Sequence, residues 1–341
     1  MIPVYRPSIR RKEMDAVLSC LVSDKLTDGP VGREFLRELT AYLELDGGVL
    51  LREFERALAL ALDALEIEKG KAVIVSPLSP FLVKQIIEDR GLRVVLADVD
   101  PDTLTFQLDT VLALAEDPEN SAIYVDSPFG FLPDMNALRE LEIPMIEDVS
   151  SAFGAHTGKG RCGSYGDIVL IRMEAHDILT VGGGTAVLSS RKRYSDRIKK
   201  LIEEWPACRY LTDMNSSLGS AQLRDQEYFF LKRQEIYRLF INAVRKGRHS
   251  SPVQRGESDQ VFHAFPVLVK GGLRDIQSYA RKKGVMTHQA FTDSIVSKIE
   301  ILNGDFEGAR KIYRRCLLFP LYPMLARSEV ETISRVLSTL P

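Results

Sequence analysis

The sequence predicts an α/β fold with a mostly parallel central sheet, helices on both faces and a smaller C-terminal α/β domain. Short apolar runs alternate with helical patterns between residues 72 and 147. Polar residues follow several of these runs, where parallel sheets place their ligands. At 341 residues, 45% of them hydrophobic, the chain is long enough to bury the cores of two domains. We expect a large domain over residues 1–247 and a small one over 248–341.

The first predicted elements precede the sheet. An extended opening at residues 2–7 leads to a helical pattern at 10–22. A turn at 26–30 contains Gly29-Pro30, and an amphipathic helix is predicted at 34–45. A longer helical run is predicted from 51 to 65.

The central sheet is predicted from the alternation that follows. Strands are expected at 72–76, 93–97, 122–125 and 144–147, with helices near 82–88, 108–114 and 136–141. Strand–helix–strand connections of this spacing favour parallel neighbours with helices on both faces. Ligand-binding residues are then expected beyond the carboxyl ends of the strands.

The rest of the chain closes the large domain and forms the small one. Residues 166–187 read as a buried strand at 168–171, a polar turn, a glycine turn at Gly182–Gly184 and a second strand. Helices are predicted at 194–204 and 218–246, followed by an exposed connection at 248–260. The C-terminal part is expected to contain a strand at 261–269 and helices at 273–283 and 328–337.

Composition excludes several classes of function. The net charge is −2, so no basic excess argues for nucleic acid or for an anionic membrane. The N-terminal residues lack the apolar core of a signal peptide, and no later run has the length of a membrane span. The cysteines are scattered singly, which argues against a metal site and for reduced thiols in the cytoplasm.

The stretch 166–187, GDIVLIRMEAHDILTVGGGTAV, resembles the signature of the DegT/StrS sugar aminotransferases, roughly GDIxxFSFxxTKNLTTGEGGAV. Similar matches occur at the opening and along nearly the whole chain; they include residues 2–7, 26–30, 97–104, 145–148, 154–155, 163–167, 221–223 and 318–323. The resemblance implies a type I aminotransferase fold that uses pyridoxal phosphate (PLP). It also implies a dimer with sites at the subunit interface.

The lysine that forms the Schiff base in that family aligns with Asp177. A carboxylate has no amine to condense with the coenzyme's aldehyde, so ordinary transamination has no resting state. Asp148 matches the family aspartate that pairs with the pyridine nitrogen. An alternative interpretation of Asp148 is that it caps the turn that follows its strand.

The phosphate site of the family aligns with Glu53-Phe54-Glu55 instead of a Ser-Gly-Thr turn. A carboxylate about 4 Å from a phosphate charge opposes binding by roughly 4 kcal/mol, about a thousandfold in affinity. These residues therefore predict a poor phosphate site.

Other residues of the coenzyme pocket differ from the family pattern as well. The position of the stacking aromatic holds Pro80, and the glutamine after the aspartate is Ser151. The serine of the Ser-Phe step that precedes the family's lysine becomes Arg172. We therefore expect neither PLP nor its amine form, pyridoxamine phosphate (PMP), and no metal.

These differences favour a degenerate member of the family. On this hypothesis the chain is a ligand-binding or partner subunit in amino-sugar or glycoconjugate synthesis. It would form a homodimer, or a heterodimer with an active aminotransferase paralogue, and a nucleotide sugar is the expected ligand.

Two alternatives keep an enzymatic role. In one, His176 performs acid–base chemistry on a nucleotide sugar with Asp177 or Asp148, with or without PMP. It is motivated by relatives that act as sugar 3-dehydratases with a histidine at the lysine position. A one-residue shift of the turn would bring His176 there. In the other, a lysine from elsewhere (Lys84, Lys159 or Lys192) serves transamination.

Overall fold

The computed structural model describes residues 1–24, 26–27, 29–157, 160–256, 258–299 and 305–341. The helices are α1 Arg11–Val22, α2 Pro30–Leu43, α3 Phe54–Leu65, α4 Phe81–Asp89, α5 Leu108–Ala115, α6 Met135–Arg139, α7 Lys192–Leu201, α8 Asp213–Arg224, α9 Gln226–Val244, α10 Leu273–Lys282, α11 Ile295–Lys298, α12 Glu307–Arg315 and α13 Arg327–Ser338. The strands are β1 Gly47–Leu51, β2 Ala72–Val75, β3 Arg93–Leu96, β4 Asn120–Asp126, β5 Met145–Asp148, β6 His156–Thr157, β7 Gly160–Arg161, β8 Ile168–Arg172, β9 Thr185–Ser189, β10 Ser258–Asp259, β11 Phe265–Leu268, β12 His288–Gln289 and β13 Cys316–Phe319.

The large sheet has seven strands in the order β1-β9-β8-β5-β4-β2-β3. The run from β8 to β3 is parallel, whereas β9 pairs antiparallel with both β8 and β1. The predicted mostly parallel central sheet is therefore confirmed. Its parallel strands point their carboxyl ends at one edge, where β4, β5 and β8 lie side by side.

Apolar residues on alternate sides of the strands hold this sheet between helices. In β2, Val73 and Val75 join a core cluster that includes residues of α3, α4 and α7, while Ile74 belongs to a cluster on the opposite face with α5 and α6. Every residue of β2 is buried. This is the pattern of a parallel strand covered on both faces.

A smaller antiparallel sheet lies in the C-terminal part, in the order β11-β13-β12. Buried Arg233 of α9 binds this part through its guanidinium, whose Nη1 donates to the carbonyl oxygens of Phe262, His263 and Leu321 at 3.0–3.1 Å. Burial lowers the pKa of Arg233 to about 10. The smaller sheet agrees with the expected C-terminal α/β domain, while the domain boundary at residue 247 stays a prediction.

Several predicted elements need correction. The helical run predicted from 51 begins only at Phe54, because Gly47–Leu51 pairs with β9 as an edge strand. The helix predicted over 218–246 is two helices, broken at Asp225, whose carboxylate binds Arg10 and Lys12 of the N-terminal segment. Strand β13 and helix α12 were not predicted. Among the described residues, no helix has the length and apolar character needed to span a bilayer.

Candidate functional site

A cavity of about 240 Å³ opens at the carboxyl ends of β4, β5 and β8. The segment from β12 to α11 closes it from the other side, since the Phe81 N–H donates to the Asp293 carbonyl (2.7 Å) and the Ile295 N–H to the Ser79 carbonyl (2.9 Å). The cavity is lined by Tyr5, Leu78, Pro80, Asp126, Ser127, Pro128, Phe129, Asp148, Ser151, Arg172, His288, Phe291, Thr292, Asp293, Ser294 and Leu318. Parallel sheets are expected to bind ligands at this place.

Asp148 ends β5 and is held by hydrogen bonds from the protein. The Tyr124 hydroxyl donates to its Oδ2 at 2.6 Å, and the Ser150 N–H donates to its Oδ1 at 2.9 Å. The Ser150 hydroxyl also donates to Oδ1. Burial and the Asp148 carboxylate raise the pKa of Tyr124 well above its ordinary value, so the phenol stays a donor. The turn-capping interpretation of Asp148 therefore agrees with the Ser150 contacts.

Asp177, at the lysine position, points inward and forms an ion pair with Arg172. The Arg172 Nε lies 3.1 Å from Asp177 Oδ2, and the Glu174 N–H donates to the same oxygen at 2.9 Å. The Asp177 side chain is 0% exposed. Burial alone would lower the pKa of Arg172, but the carboxylates of Asp177 and Asp148 outweigh it and raise that pKa. Arg172 therefore stays charged between two acids.

These contacts form one unit, which we call the charged network: Tyr124, Asp148, Ser150, Arg172 and Asp177. The Arg172 backbone N–H donates to the Ser150 hydroxyl at 2.8 Å, which links the two acidic ends. Within this network each carboxylate has protein donors. A buried ion pair needs such donors, because an unpaired buried charge is strongly destabilising.

Asp126 ends β4 and is the register partner of Asp148 in the parallel pairing of β4 with β5. Burial raises the pKa of Asp126 to about 7; Asp148 acts in the same direction, whereas Ser79 and Arg172 oppose the rise. The buried Ser79 hydroxyl lies outside hydrogen-bonding geometry. Asp126 was not predicted, although its position directly after a predicted parallel strand was the signal that marks such a residue.

Two phenylalanines form an aromatic wall beside Asp126. The ring centroids of Phe129 and Phe291 lie 5.0 Å apart. Both residues have left-handed backbones, with φ of 56° and 62°. Such a conformation costs about 1–3 kcal/mol for a bulky residue and often occurs at functional sites. We call Asp126, Phe129 and Phe291 the open wall.

His176 lies outside the cavity. Its side chain is exposed, its ring packs 5.4 Å from that of Tyr5, and its carbonyl oxygen lies 2.8 Å from His263 Nε2. The turn thus places Asp177 inward and His176 outward, so the shift that would bring His176 into the pocket does not occur. Tyr5 does line the cavity, and burial, then Cys316 and Asp177, raise its pKa to about 12.

The residues aligned with the phosphate site do not line the cavity. Glu53 precedes α3, and its carboxylate pairs with Arg56 at 3.3 Å in solvent. Glu55 is exposed, and the Phe54 ring lies 5.8 Å from Arg172 Cζ. Acidic side chains stabilise the first turn of a helix through its dipole, which accounts for both glutamates. The same charges disfavour a phosphate there.

The residues aligned with the family's ring clamp and the candidate lysines do not supply coenzyme contacts in this cavity either. Pro80 lines the cavity, but Phe81 packs into the core beside Lys84. Lys84 pairs with Glu88 and Lys192 with Asp196, both on exposed helix faces, and Lys159 lies outside the described residues. No lysine is among the described residues that line the cavity. The residues present therefore do not fit PLP, because amine, phosphate site and ring clamp are all replaced.

Of the seven residues predicted for the degenerate pocket, Pro80, Asp148, Ser151 and Arg172 line the cavity, whereas Glu53, Phe54 and Glu55 do not. No sequence pattern marked Tyr5, His288 or residues 291–294, which reach the cavity from distant parts of the chain. The described residues contain no cluster of His, Cys, Asp and Glu arranged to hold a metal ion.

Comparison with known proteins agrees with this architecture. The chain is 26% identical to a dTDP-4-dehydro-2,3,6-trideoxy-D-glucose 4-aminotransferase of Saccharopolyspora spinosa, over 98% of this chain and 95% of that protein. The crystal structure of the aminotransferase TlmJ from Streptoalloteichus hindustanus superposes with a TM-score of 0.90 at 24% identity, covering 99% of this chain and 98% of the other.

A structure of GDP-4-keto-6-deoxymannose-3-dehydratase (ColD) with bound GDP-perosamine superposes with a TM-score of 0.89 at 15% identity, covering 99% of this chain and 100% of that one. These superpositions show the type I aminotransferase fold. The sequence profile described as the DegT/DnrJ/EryC1/StrS aminotransferase family matches residues 7–338. The chain therefore belongs to the DegT/DnrJ/EryC1/StrS aminotransferase family.

Proposed function

We propose that this chain is a member of the sugar aminotransferase family that works in amino-sugar biosynthesis without Schiff-base chemistry. In this role it is a ligand-binding or partner subunit. The setting is supported by relatives named as a dTDP-sugar 4-aminotransferase and a GDP-perosamine synthase. The observation that carries the proposal is Asp177 at the lysine position, held in a buried ion pair by Arg172.

The ion pair argues against a simple rearrangement that would restore the chemistry. Withdrawing Arg172 to make room for a coenzyme would leave Asp177 buried without its partner. Breaking a buried pair in this way is destabilising by about 3–5 kcal/mol. A phosphate would also need to approach the first turn of α3, where Glu53 and Glu55 carry negative charge.

An exposed apolar surface supports the partner role. On α1, Met14, Leu18 and Val22 are exposed, Val22 by 84%. Tyr228 and Leu231 of α9 are also exposed, and Arg10 next to α1 lies 4.9 Å from the Tyr228 ring centroid. Met14, Leu18 and Val22 follow each other at intervals of four residues and so share one face of α1. Exposed apolar patches often mark protein interfaces. We propose that this surface binds a second subunit, either another copy or an active paralogue.

Incubation with PLP, followed by gel filtration, tests the loss of Schiff-base chemistry. We expect no absorption band of a bound Schiff base. Borohydride reduction and mass spectrometry should find only scattered, substoichiometric labelling of surface lysines. A retained band, or stoichiometric labelling of a single lysine, would overturn the proposal. Asp177→Asn is the matched variant: it removes the charge but supplies no amine, so it too should give no band.

Native mass spectrometry tests the partner role after co-expression with an aminotransferase of the same genome that retains its lysine. We expect dimers, either mixed or of this chain alone. Leu18→Glu with Val22→Glu should dissociate them. Val253→Glu, at an exposed apolar residue elsewhere on the surface, serves as the control and should leave them intact. Monomers at all concentrations would refute the partner role.

The alternative of acid–base chemistry through His176 receives less support, since that ring lies outside the cavity and Asp177 and Asp148 already have protein partners. His176→Ala should leave any turnover of a nucleotide sugar intact. For location we propose the cytoplasm, in agreement with the buried thiols of Cys162 and Cys316, which form no disulfide.

A further inference from the structure

The cavity wall contains a half-buried carboxyl, that of Asp126, which the charged network does not use. Asp148 accepts from Tyr124 and Ser150, whereas its register partner Asp126 lines the cavity, and the nearby Ser79 hydroxyl lies outside hydrogen-bonding geometry. A half-buried carboxylate that faces a cavity can accept a hydrogen bond from a ligand, and hydrogen bonds to charged groups are among the stronger ones.

The wall next to Asp126 is apolar and costly to form. Phe129 and Phe291 adopt left-handed backbones that place their rings 5.0 Å apart at the cavity surface. Hydrogen bonds hold them there: the His263 N–H donates to the Phe129 carbonyl at 3.2 Å, and the Ser294 hydroxyl to that of Phe291 at 2.6 Å. Strain maintained in this way at a cavity points to binding of a ligand ring.

The charges of the cavity favour a cationic ligand. Its acids are Asp126, Asp148 and Asp293, and its guanidinium is that of Arg172. Arg172 already pairs with Asp177, which leaves the network with little attraction for an anion. An ammonium next to Asp126 would donate to its carboxylate, and the nearby aromatic rings also attract cations.

The geometry points to a binding site for a small ring-containing amine, whose ammonium group pairs with Asp126 and whose ring packs on Phe129 and Phe291. The volume of about 240 Å³ lies below the range of drug-sized sites and limits the ligand to a single ring or little more. This inference rests on the proposed function, because a coenzyme in the same cavity would displace such a ligand.

A matched pair of probes, cyclohexylamine and cyclohexanol, tests the site by calorimetry or ligand-observed NMR. The two differ only in the group that faces Asp126. We expect the wild-type protein to bind the amine at least tenfold more tightly than the alcohol. Asp126→Asn should weaken amine binding about tenfold and leave alcohol binding within twofold. Equal binding of the two probes, or an unchanged affinity of the Asp126→Asn variant for the amine, would overturn the inference.

The pH dependence gives a second test. An alkylamine stays protonated well above neutral pH, so only the protein titrates. Amine affinity should rise between pH 6 and pH 8 as Asp126, with its pKa raised to about 7 by burial, becomes ionised. The other titratable and charged groups lining the cavity are Tyr5, Asp148, Arg172, His288 and Asp293. In His288→Gln the affinity for the amine should still rise with pH, whereas in Asp126→Asn most of this rise should be lost. If the rise disappears in His288→Gln instead, the assignment to Asp126 is refuted.

Asp293→Asn is the control for charge alone. Its side chain is 90% exposed at the rim and pairs with Lys298 at 3.4 Å, so we expect less than a threefold loss of amine affinity. Unfolding curves of both aspartate variants confirm that they are folded. The proposed function is tested separately, by the absorbance band of a bound coenzyme. Loss of amine selectivity without such a band refutes only the amine site.

Discussion

Asp148 and Asp126 stand side by side at the ends of β5 and β4, but only Asp148 is surrounded by donors. The charged network satisfies its carboxylates with a phenol, a hydroxyl, backbone N–H groups and the Arg172 guanidinium. The open wall leaves Asp126 facing a cavity and two strained phenylalanines. The same residue type at the same register thus has two different environments.

The two environments distinguish residues that stabilise the folded protein from residues that are able to bind a ligand. Groups whose polar atoms all have partners contribute to the folded state and have little capacity left for a ligand. Groups with unmet hydrogen-bonding capacity or backbone strain destabilise the free protein and gain when a ligand arrives. Substitutions in the charged network should therefore destabilise the protein, and those in the open wall should stabilise it or leave it unchanged.

The largest effect is expected for Arg172→Met. The substitution leaves Asp177 buried without its partner, so the free energy of unfolding should fall by about 3–5 kcal/mol. Urea denaturation followed by circular dichroism measures the change. Arg56→Met is the matched control, because its partner Glu53 is in solvent, and it should lose less than about 1 kcal/mol. Similar losses of unfolding free energy for the two variants would show that the burial of Asp177 does not strengthen its ion pair.

Tyr124→Phe should have the next largest effect. It removes only the hydroxyl that donates to Asp148 at 2.6 Å, and a hydrogen bond to a charged group contributes about 1.5–3 kcal/mol. The exposed Tyr279 hydroxyl, 2.9 Å from Thr339 Oγ1, provides the control Tyr279→Phe, expected to lose well under half as much. If both phenylalanine variants unfolded at the same urea concentration, the buried hydrogen bond of Tyr124 would contribute no more than the exposed one of Tyr279.

Asp126→Asn should stabilise the protein at pH 8 by about 1–3 kcal/mol, because it removes a buried charge. Since the folded pKa of about 7 exceeds the ordinary 3.8, the folded state keeps a proton that the unfolded state releases. Wild-type stability from this group is therefore present below pH 4 and is lost as pH rises to 7. The advantage of the variant should vanish at pH 4.

His263 changes stability in the opposite direction with pH and must be separated from Asp126. Burial lowers its pKa to about 4 from 6.5, so stability from this group falls as pH drops from 6.5 to 4. Both proteins contain His263, so its contribution cancels when the stability of Asp126→Asn is compared with that of the wild type at each pH. A difference that stays constant from pH 4 to pH 8 would contradict the assignment to Asp126.

The smallest effect is expected for Glu53→Ser combined with Glu55→Ser. Both carboxylates are exposed at the first turn of α3, where the dipole contributes about 0.3–1 kcal/mol per charge and a serine cap offsets part of the loss. The unfolding free energy should change by less than about 1 kcal/mol. A larger loss would indicate that these glutamates contribute more than the helix dipole and the exposed Glu53–Arg56 pair account for.

Much of the fold was predictable because it depends on local pattern. The strand–helix alternation identified β2 to β5 and the parallel sheet, whose buried strands are nearly continuous in apolar residues. The edge strand Gly47–Leu51 was missed because its short apolar run continues into a helical pattern. The break at Asp225 was missed because its cause, contact with Arg10 and Lys12, comes from more than 200 residues away.

Part of the site was predictable in the same way. Resemblance to the family identified Asp148, Arg172 and Asp177, and the rule for strand ends was sufficient to add Asp126. Neither approach identified Tyr5 or Phe291, since both reach the cavity through tertiary contacts. The aligned phosphate residues Glu53 and Glu55 were placed in the pocket by alignment, but their side chains point into solvent.

By itself, the sequence determined the type of fold, and it predicted an aspartate at the family's lysine position, since both follow from residue identity and order. Only the tertiary structure decided which acids are satisfied and which remains open to a ligand. That outcome depends on distances of about 3 Å between groups far apart in the chain, because a carboxylate binds or repels according to the donors that folding brings to it.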